Sequence, residues 1–390
     1  MDALTTPSNW QRVRLGDMTT SFTKQTGFDY SDFIKPTLIK EYLPNYIPFI
    51  QNKDFLGHYI NYKTDYFIPN EIAIRFPQIL LNEKCLLISI SGAIGNVAVF
   101  NHSQDAFIGG AIAVLKFKEK KSLDFVMHFL MSASGQKLLL NGVKSSSHKN
   151  LTIADLRDLL IPLPPLNEQI AIANILSGLD RYLCALDALI LKKESVKKSL
   201  SFELLSQRKR LKGFNQAWQR VRLGDIANYL TSNLSAEQIT QQGKIKVYDV
   251  NNFIGYTDTT FISDKPYISI VKDGSVGRVR ILPPKTNILS TMGALIANHR
   301  TTTEFLFYLL SNFDFKNFTS GSIIPHIYFK DYKEKTIFLP PLNEQIAIAN
   351  ILSALDNEIT SLKNKKRQFE NIKKALNHNL MSAKIRVLKK

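Results

Sequence analysis

The strongest constraint on the fold is an internal duplication. The block WQRVRLGD at 10–17 recurs unchanged at 218–225, and the block at 163–180, which begins LPPLNEQIA, recurs at 339–356 with a single difference. The copies of the first block lie 208 residues apart and those of the second block 176 residues apart. Each half therefore opens and closes with a constant block around an insert of its own length. Because a solenoid would show a short fixed period, the pattern indicates a domain duplication.

The two inserts also resemble one another, more faintly. Residues 87–99 and 268–280 both predict a strand, a glycine turn and a second strand. A helical pattern follows at 124–140 in the first insert and at 303–318 in the second, and a loop rich in Gly or Ser comes after each. We therefore predict a mixed α/β (α+β) fold with two similar globular domains, and a pseudo-two-fold internal repeat.

A long helix is predicted after each Pro-Pro pair. The first runs from about Asn167 to Lys212, with Gly213 as its terminator, and the second from about Asn343 to Lys384. Each would be roughly 60–70 Å long at about 1.5 Å per residue. Apolar residues recur along both at spacings of three and four, which is typical of a coiled-coil seam. The seam positions are Leu176, Leu179, Leu183, Leu186 and Ile190 in the first helix, and Leu352, Leu355, Ile359, Leu362, Phe369, Leu376 and Leu380 in the second.

These helices need an apolar partner, and neither insert offers one of comparable length. We expect them to pair with each other in antiparallel orientation, which would give the chain a pseudo-two-fold axis. The alternative is two unrelated surface helices. The predicted division is a first globular domain at 1–162, a first helix at 163–212, a second globular domain at 213–338 and a second helix at 339–390.

The charge of the chain indicates a polyanionic partner. Lys and Arg number 50 against 33 Asp and Glu, for a net charge of +17, so DNA or RNA is the first interpretation and a surplus that favours solubility is the second. Most of the excess lies at 192–212, with eight basic and two acidic residues, and at 363–390, with ten and one. These helix ends could contact phosphates, or could be solvated faces favoured by the helix dipole.

Sequence-specific reading would have to come from the inserts, because base edges are read by side chains that enter the grooves. The loops before Leu151 and Ile327 occupy the same place in both halves and differ in their residues. We expect contacts to double-stranded DNA from polar or basic loop residues, namely Lys24, Gln25, Arg75, Lys144, Ser145, Ser146, His148 and Lys149 in the first insert, and Lys244, Lys246, Lys272, Arg278, Arg280, Ser322 and His326 in the second.

The motifs of DNA-modifying and nucleotide-using enzymes are missing from the sequence. An adenine methyltransferase needs Asp or Asn before Pro-Pro and an aromatic residue after it, whereas Leu stands on both sides of each Pro-Pro pair. There is no glycine-rich phosphate loop, and the seven histidines do not fall at metal-ligand spacing. We therefore predict no catalytic residue, no metal and no cofactor in this chain.

Cysteine content and hydropathy bear on the compartment. Two distant cysteines, Cys85 and Cys184, exclude a disulfide framework and fit a reducing cytoplasm. The N-terminal residues show no signal-peptide pattern, and the most apolar stretch, at 86–100, is too short and too polar to span a bilayer. We expect a cytoplasmic protein without a membrane partner.

Taken together, the two constant blocks resemble those of a known family. A Trp-x-x-x-x-Leu-Gly-Asp block opens each half, and Pro-Pro-Leu-Asn-Glu-Gln-Ile-Ala followed by a long helix closes it. This layout is similar to the specificity (S) subunits of type I restriction-modification systems over essentially the whole chain. The second block, present twice around two variable inserts, is the more specific of the two signals.

The resemblance implies two target-recognition domains, each reading one half of a bipartite DNA site, and two conserved helices that set the spacing. It also implies docking of two methyltransferase subunits that bind S-adenosylmethionine, and of motor-nuclease subunits that use ATP and Mg²⁺. The matching positions at the helix starts, where partner binding is expected, are Pro164, Pro165, Asn167, Glu168 and Gln169, and Pro340, Pro341, Asn343, Glu344 and Gln345.

Other functions remain open at this point. The chain could be the specificity module of a related restriction-modification system with a fused or free methyltransferase-nuclease. It could also be a coiled-coil interaction scaffold that reads no sequence. A stand-alone nuclease is the third and most distant possibility.

Overall fold

The computed structural model describes residues 9–25, 27–141, 150–321 and 323–387. Its contacts divide the chain into unit 1, comprising Met1–Ala185 and Lys366–Lys390, and unit 2, comprising Leu186–Lys365. The boundary falls inside both long helices, so each unit contains the first part of one helix and the last part of the other. The predicted division into four segments stays a prediction.

Unit 1 contains the first insert. Its strands are β1 (Gln11–Arg14), β2 (Thr19–Lys24), β3 (Tyr46–Ile50), β4 (Phe55–Leu56), β5 (Tyr59–Ile60), β6 (Phe67–Pro69), β7 (Leu80–Leu81), β8 (Cys85–Ser89), β9 (Val97–Phe100), β10 (Ala106–Ile108), β11 (Ile112–Phe117) and β12 (Leu160–Leu163). Its α-helices are α1 (Gly27–Asp29), α2 (Asn70–Ala73), α3 (Leu123–Met131), α4 (Ala133–Asn141), α5 (Ile153–Arg157), the first part of α6 (Leu166–Leu205) and the last part of α9 (Leu342–Met381).

The inner strands β11 and β8 of the central sheet of unit 1 are buried on both faces. This sheet has the order β2-β11-β8-β9, and a second four-stranded sheet has the order β6-β3-β10-β7. Alternate residues of a strand point to opposite faces, so the side chains of β8 pack into two different hydrophobic cores. Leu86 and Ile88 pack with α3 and the start of α6, whereas Leu87 packs with the second sheet.

Unit 2 repeats this design with fewer elements. It contains β13 (Gln219–Arg222), β14 (Ala227–Thr231), β15 (Ile245–Tyr248), β16 (Phe253–Thr257), β17 (Tyr267–Val271), β18 (Val279–Leu282), β19 (Thr286–Ile288), β20 (Met292–Ala297), β21 (Thr336–Leu339), α7 (Thr303–Ser311), α8 (Phe329–Tyr332) and the first part of α9 (Leu342–Met381). The sheet β14-β20-β17-β18 matches the central sheet of unit 1 strand for strand, and a three-stranded sheet, β16-β15-β19, accompanies it. The predicted mixed α/β repeat is confirmed.

The constant blocks of each half meet in space. β1 pairs antiparallel with β12, with Gln11 opposite Leu163, and β13 pairs with β21 in the same register, with Gln219 opposite Leu339. The glycine of each Leu-Gly-Asp turn lies tightly against the chain that precedes the closing strand. A Cβ at Gly16 would come within 3.1 Å of Arg157 Cβ. Each insert is therefore closed at its base by two blocks that are far apart in sequence.

Both long helices contain 40 residues, which corresponds to about 60 Å. The predicted ends at Lys212 and Lys384 are wrong, because α6 ends at Leu205 and α9 at Met381. Gln207 (φ 62°) and Ala383 (φ 53°), 176 residues apart, both adopt the left-handed conformation and turn the chain away. Gly213, the predicted terminator, belongs to a later turn with φ 89°.

The predicted antiparallel pairing of the helices is confirmed within each unit. In unit 1, Tyr182 of α6 packs on Phe369 of α9, with ring centroids 4.7 Å apart. The equivalent positions in unit 2 are Glu358 and Lys193, whose carboxylate and ammonium groups lie 2.8 Å apart. All predicted seam residues are buried or half-buried. Antiparallel pairing brings the early part of one helix to the late part of the other in both units.

Ion pairs repeat with the same symmetry. Asp180 of α6 is bound by Lys373 of α9 in unit 1, and Asp356 of α9 is bound by Lys197 of α6 in unit 2. Lys363 also pairs with Glu194, at 2.6 Å. Part of the basic excess at the helix ends therefore neutralises carboxylates of the partner helix.

The most buried of these carboxylates are held by a guanidinium clasp at each helix start. Arg386, just past the end of α9, binds both carboxylate oxygens of Glu168 at 2.7 and 2.9 Å. Arg210, just past the end of α6, binds those of Glu344 at 3.0 and 2.8 Å. Both glutamates are almost fully buried. Trp218 donates a further hydrogen bond from its indole N–H to Glu344.

We expect the substitution Arg386→Met to destabilise unit 1 by about 3 kcal/mol, because it leaves the Glu168 carboxylate buried without its partner. Glu168→Leu combined with Arg386→Met should cost less than either single change. Urea unfolding of the four proteins of this double-mutant cycle measures the coupling. Additive costs would show that the clasp contributes nothing.

One polar cluster breaks the symmetry between the units. Near Asp180, His58 Nε2 lies 3.2 Å from the carboxylate, and His128 Nε2 lies 2.9 Å from Ser177 Oγ. Burial lowers the pKa of both imidazoles, that of His128 to about 3.

In unit 2, Tyr308 takes the place of His128 and donates a hydrogen bond to Asp356 at 2.8 Å. Burial raises the pKa of Tyr308, and the hydrogen bond to Asp356 raises it further by a smaller amount.

These histidines make unit 1 sensitive to acid. A histidine with a lowered pKa is neutral in the folded chain and takes up a proton on unfolding, so its contribution to stability is present above about pH 6.5 and is lost as the pH falls. For His128 the loss between pH 7 and pH 5 is about 2 kcal/mol. Unfolding at both pH values should show it, and His128→Gln should reduce the difference by that amount. An unchanged difference in the variant would contradict the assignment.

Candidate nucleic-acid interface

In unit 2 the turn between β17 and β18 is joined to the loop that precedes α8. Ile327 N–H donates to Lys272 O and Gly274 N–H donates to Pro325 O, both at 2.9 Å. The side chains close the junction, since His326 Nδ1 lies 2.7 Å from Asp273 Oδ1. The structure thus brings together Lys272 and His326, two residues that the sequence placed in separate loops.

Unit 1 has the same junction built from other side chains. Leu151 N–H donates to Ile90 O at 2.9 Å, and Ser91 and Asn150 form the bridge that Asp273 and His326 form in unit 2. The junction is therefore part of the constant architecture, while its chemistry differs between the halves. The predicted contacts on the loop itself lie outside the described residues, as does one in unit 2; these are Lys144, Ser145, Ser146, His148, Lys149 and Ser322.

A second basic surface of unit 2 combines cations with aromatic rings. The Arg280 guanidinium lies 5.3 Å from the centroid of the Tyr248 ring, and it donates to Asn251 O at 2.9 Å. Lys246 Nζ lies 6.0 Å from the ring of Phe253. A guanidinium offers five N–H donors, so most of those of Arg280 remain available for an acceptor. We call these four side chains of β15, β16 and β18 the β15 patch.

Unit 1 carries a comparable surface at another place. The Arg75 guanidinium lies 5.6 Å from the Phe33 ring, and Phe28, two-thirds exposed, packs edge-on against Phe33. The sequence indicated the cations of both surfaces but not their aromatic partners. The signal that could have found them is a large aromatic residue among polar ones, which nucleic-acid sites use for stacking.

The other predicted contacts have mixed environments. Lys24, Lys244 and Arg278 are exposed. Gln25 is 3% exposed, and its amide group has no hydrogen-bond partner in the part of the chain described. In this conformation Gln25 does not present its amide to solvent, so it would need a local rearrangement to meet a base.

The predicted partner-binding residues at the helix starts are mostly used inside the chain. Gln169 and Gln345 are buried and donate to the carbonyl oxygens of Pro164 and Pro340 at 2.7 and 2.8 Å. Gln345 Oε1 also accepts a hydrogen bond from Thr301 Oγ1 at 2.8 Å.

Glu168 and Glu344 belong to the clasps, which leaves Pro165, Asn167 and Asn343 as exposed members of the predicted partner-binding set. Pro341 is half-buried. Contact with a partner stays a prediction for the whole set.

Each unit also has a groove between its first long insert helix and the helix pair. The groove of unit 1 has a volume of about 620 Å³ and that of unit 2 about 430 Å³. Five residues that line one groove have a counterpart in the other groove that lies 176 residues away in sequence, which is the spacing of the second block. The shared positions are Leu183, Glu370, Lys373, Lys374 and Asn377 in unit 1, and Ile359, Glu194, Lys197, Lys198 and Ser201 in unit 2.

Among the residues that the structure describes, no helix has the length and apolar character required to cross a membrane.

Comparisons with known proteins agree on one family. The chain is 22% identical to the type I restriction enzyme MjaVIII specificity subunit of Methanocaldococcus jannaschii, over 99% of this chain and 95% of that protein. It is 27% identical to the putative MjaX specificity subunit of the same organism, over 75% of this chain and 76% of that protein.

Solved structures share the fold. A type I restriction-modification S subunit from Mycoplasma genitalium matches with a TM-score of 0.63 at 20% identity, over 95% of this chain and 96% of that one. A chain from a structure of type I restriction-modification complex assembly matches with a TM-score of 0.54 at 15% identity, over 96% of this chain and 98% of that one.

The family model described as "Type I restriction modification DNA specificity domain" matches twice, at residues 7–194 and 215–371. The two matched segments correspond to the two halves of the duplication, each with its sheet, its junction and its long helix. The chain therefore belongs to the type I restriction-modification DNA specificity family and carries two copies of the specificity domain.

Proposed function

We propose that this chain reads a bipartite, asymmetric DNA target, with one half-site recognised by each unit. The observation that carries the proposal is the contrast between its frame and its loops. The frame repeats in register, in hydrogen bonds and in ion pairs. The junctions that face outward differ in chemistry, with Ser91 and Asn150 in one unit and Asp273 and His326 in the other. A symmetric holder with two different surfaces suits an asymmetric sequence.

The helices would set the gap between the half-sites. Readers that enter successive major grooves on one face of B-DNA sit about 34–36 Å apart. A helix of about 60 Å is long enough to span such a repeat. In this proposal the target contains an unread gap whose length depends on the helices.

The two equivalent grooves fit two copies of one partner. Each is lined by an apolar residue of one long helix and by a glutamate and two lysines of the other, at corresponding positions. A methyltransferase subunit bound at one groove could therefore bind at the other through the same contacts. We infer that the assembled complex contains two methyltransferase subunits, with motor-nuclease subunits joining them.

The chemistry of the complex would belong to those partners. In this proposal the chain supplies specificity and no catalytic residue, and it holds no cofactor. S-adenosylmethionine would be bound by the methyltransferase subunits, and ATP and Mg²⁺ by the motor-nuclease subunits. The chain would act in the reducing cytoplasm. Cys85 is buried, and because burial raises its pKa to about 12, it would stay an unreactive thiol there.

Methylome sequencing of cells with and without the gene tests the proposal directly. We expect a split adenine-methylation motif that disappears with the gene. Loss of no motif, or loss of an undivided one, would contradict sequence reading by two units. Incubation of the pure chain with DNA and Mg²⁺ should produce no cleavage.

Substitutions in one unit should affect one half-site only. Arg280→Ala in the β15 patch should weaken binding to the complex's target by about 1–3 kcal/mol and relax specificity in the half-site read by unit 2. Arg75→Ala is the matched change in unit 1 and should relax the other half-site. Competition with singly mismatched duplexes measures both. Equal relaxation in both half-sites by either variant would contradict the assignment of one unit to one half-site.

The basic helix ends are expected to contribute salt-sensitive affinity. Lys193 and Lys197 pair with carboxylates of α9, whereas in the described part of the chain no carboxylate lies within 4 Å of Lys192 or Lys198. Lys198 also lines the groove of unit 2, so Lys192 is the position to change. Replacing Lys192 with Gln should reduce the slope of log K against log salt by about 0.9, if it contacts one phosphate. Lys193→Gln, which removes a paired lysine, is the control and should mainly lower stability. An unchanged slope for Lys192→Gln would exclude phosphate contact.

A further inference from the structure

The loop before α8 in unit 2 presents isoleucine to solvent. Ile323 is 92% exposed, the highest value among the large apolar residues that the structure describes, and the adjacent Ile324 is 55% exposed. Neither belongs to a hydrophobic core of the described chain. A fully exposed isoleucine gives up the stabilisation that its burial would provide, so a binding partner is its simplest use.

Backbone hydrogen bonds close the base of the loop that carries Ile323 and Ile324, and we call these two residues the tip. Ser320 and His326 exchange two backbone hydrogen bonds, of 2.9 and 2.7 Å, which close a short hairpin around the isoleucines. Gly321 has φ 89°, and a Cβ there would come within 2.3 Å of Ile324 O, so this turn requires glycine. Ile323 is therefore exposed close to a base, formed by Ser320 and His326, that is tied to the junction with β17.

The surroundings of the tip favour a nucleic acid. His326 stacks on Tyr328, with an interplanar angle of 21°, and Lys330 Nζ lies 5.4 Å from the centroid of the Tyr328 ring. Lys272 accepts a backbone hydrogen bond at the base of the same hairpin. An exposed apolar residue a few positions before a histidine, an exposed aromatic ring and a lysine matches a DNA groove better than an apolar protein surface.

We propose that Ile323 is a specificity-determining residue that recognises the C5 methyl group of a thymine in the major groove. The inference rests on the proposed function, since it requires that unit 2 reads a half-site. Of the four base pairs only A·T and T·A expose a methyl group there, and an apolar side chain distinguishes it from the polar edges of G·C. Ile324 would support the contact from the same turn.

The sequence of the other half agrees with this assignment. The corresponding loop of unit 1 reads GVKSSSHKN at 142–150 and carries lysine, serine and histidine where unit 2 has Ile-Ile-Pro. The two loops therefore use different chemistry at the same place. A methyl contact would belong to the half-site of unit 2 alone.

Deoxyuridine provides the test, because it differs from thymidine only by the methyl group. The assembled complex is titrated with duplexes in which each thymine of the unit 2 half-site, on either strand, is replaced in turn. For the wild type, one replacement should weaken binding about fourfold, as expected for one buried methyl group. Ile323→Ala should weaken binding to the normal duplex by a similar factor and abolish the effect of that replacement. Ile74→Ala, an exposed isoleucine of unit 1, is the matched control and should leave the replacement profile of this half-site unchanged.

The outcomes separate this inference from the proposed function. If every replacement is silent, if Ile323→Ala keeps the effect, or if the half-site contains no A·T pair, the methyl contact is excluded while split-site reading stands. If Ile323→Ala fails to assemble with the methyltransferase subunits, the tip is a protein contact and the inference is wrong. If the wild type shows no split, sequence-defined binding, the proposed function itself fails.

Discussion

The fold depends on two buried carboxylates at the starts of the long helices. Glu168 and Glu344 are each bound in bidentate fashion by an arginine that follows the end of the other helix. A buried carboxylate is costly without such a partner, so the clasp fixes where each helix begins and how the chain returns to it. The left-handed residues Gln207 and Ala383 are tolerated because the arginines beyond them must reach these carboxylates.

The repeat of these contacts gives the molecule two equivalent holders. Antiparallel pairing makes the end of each helix meet the start of the other, so one set of interactions is used twice. Aromatic packing of Tyr182 on Phe369 in one unit is replaced by the pair Glu358 and Lys193 in the other, which shows that the geometry is maintained while the chemistry varies. The same freedom at the outward junctions allows the two halves to recognise different sequences.

Much of the architecture could be predicted from the sequence, because repeated blocks and heptad spacing are properties of one linear pattern. The seam, the antiparallel pairing and the two mixed α/β inserts followed from them. The helix ends did not, since the terminator is set by a tertiary ion pair and not by the nearest glycine, Gly213. Gln25 was predicted to contact DNA from a loop but is buried beside the turn at Gly110. The aromatic partners of Arg75 and Arg280 lie in a helical segment and in a strand, both distant in sequence, so no local pattern linked them.

The sequence by itself determined that the chain is a duplication, that its halves share a frame, that its charge is concentrated at the helix ends and that it belongs with specificity subunits. The duplication, the frame and the position of the charge follow from residue identity and spacing, which do not depend on how the chain folds. The family follows from the resemblance of the constant blocks. Only the tertiary structure decided that part of this charge neutralises the partner helix, that the Glu and Gln of each helix start serve inside the chain, and that Ile323 stands exposed on a loop whose base is bonded to Lys272. Such facts depend on contacts between residues far apart in sequence, and those contacts exist only once the sheets and helices have packed.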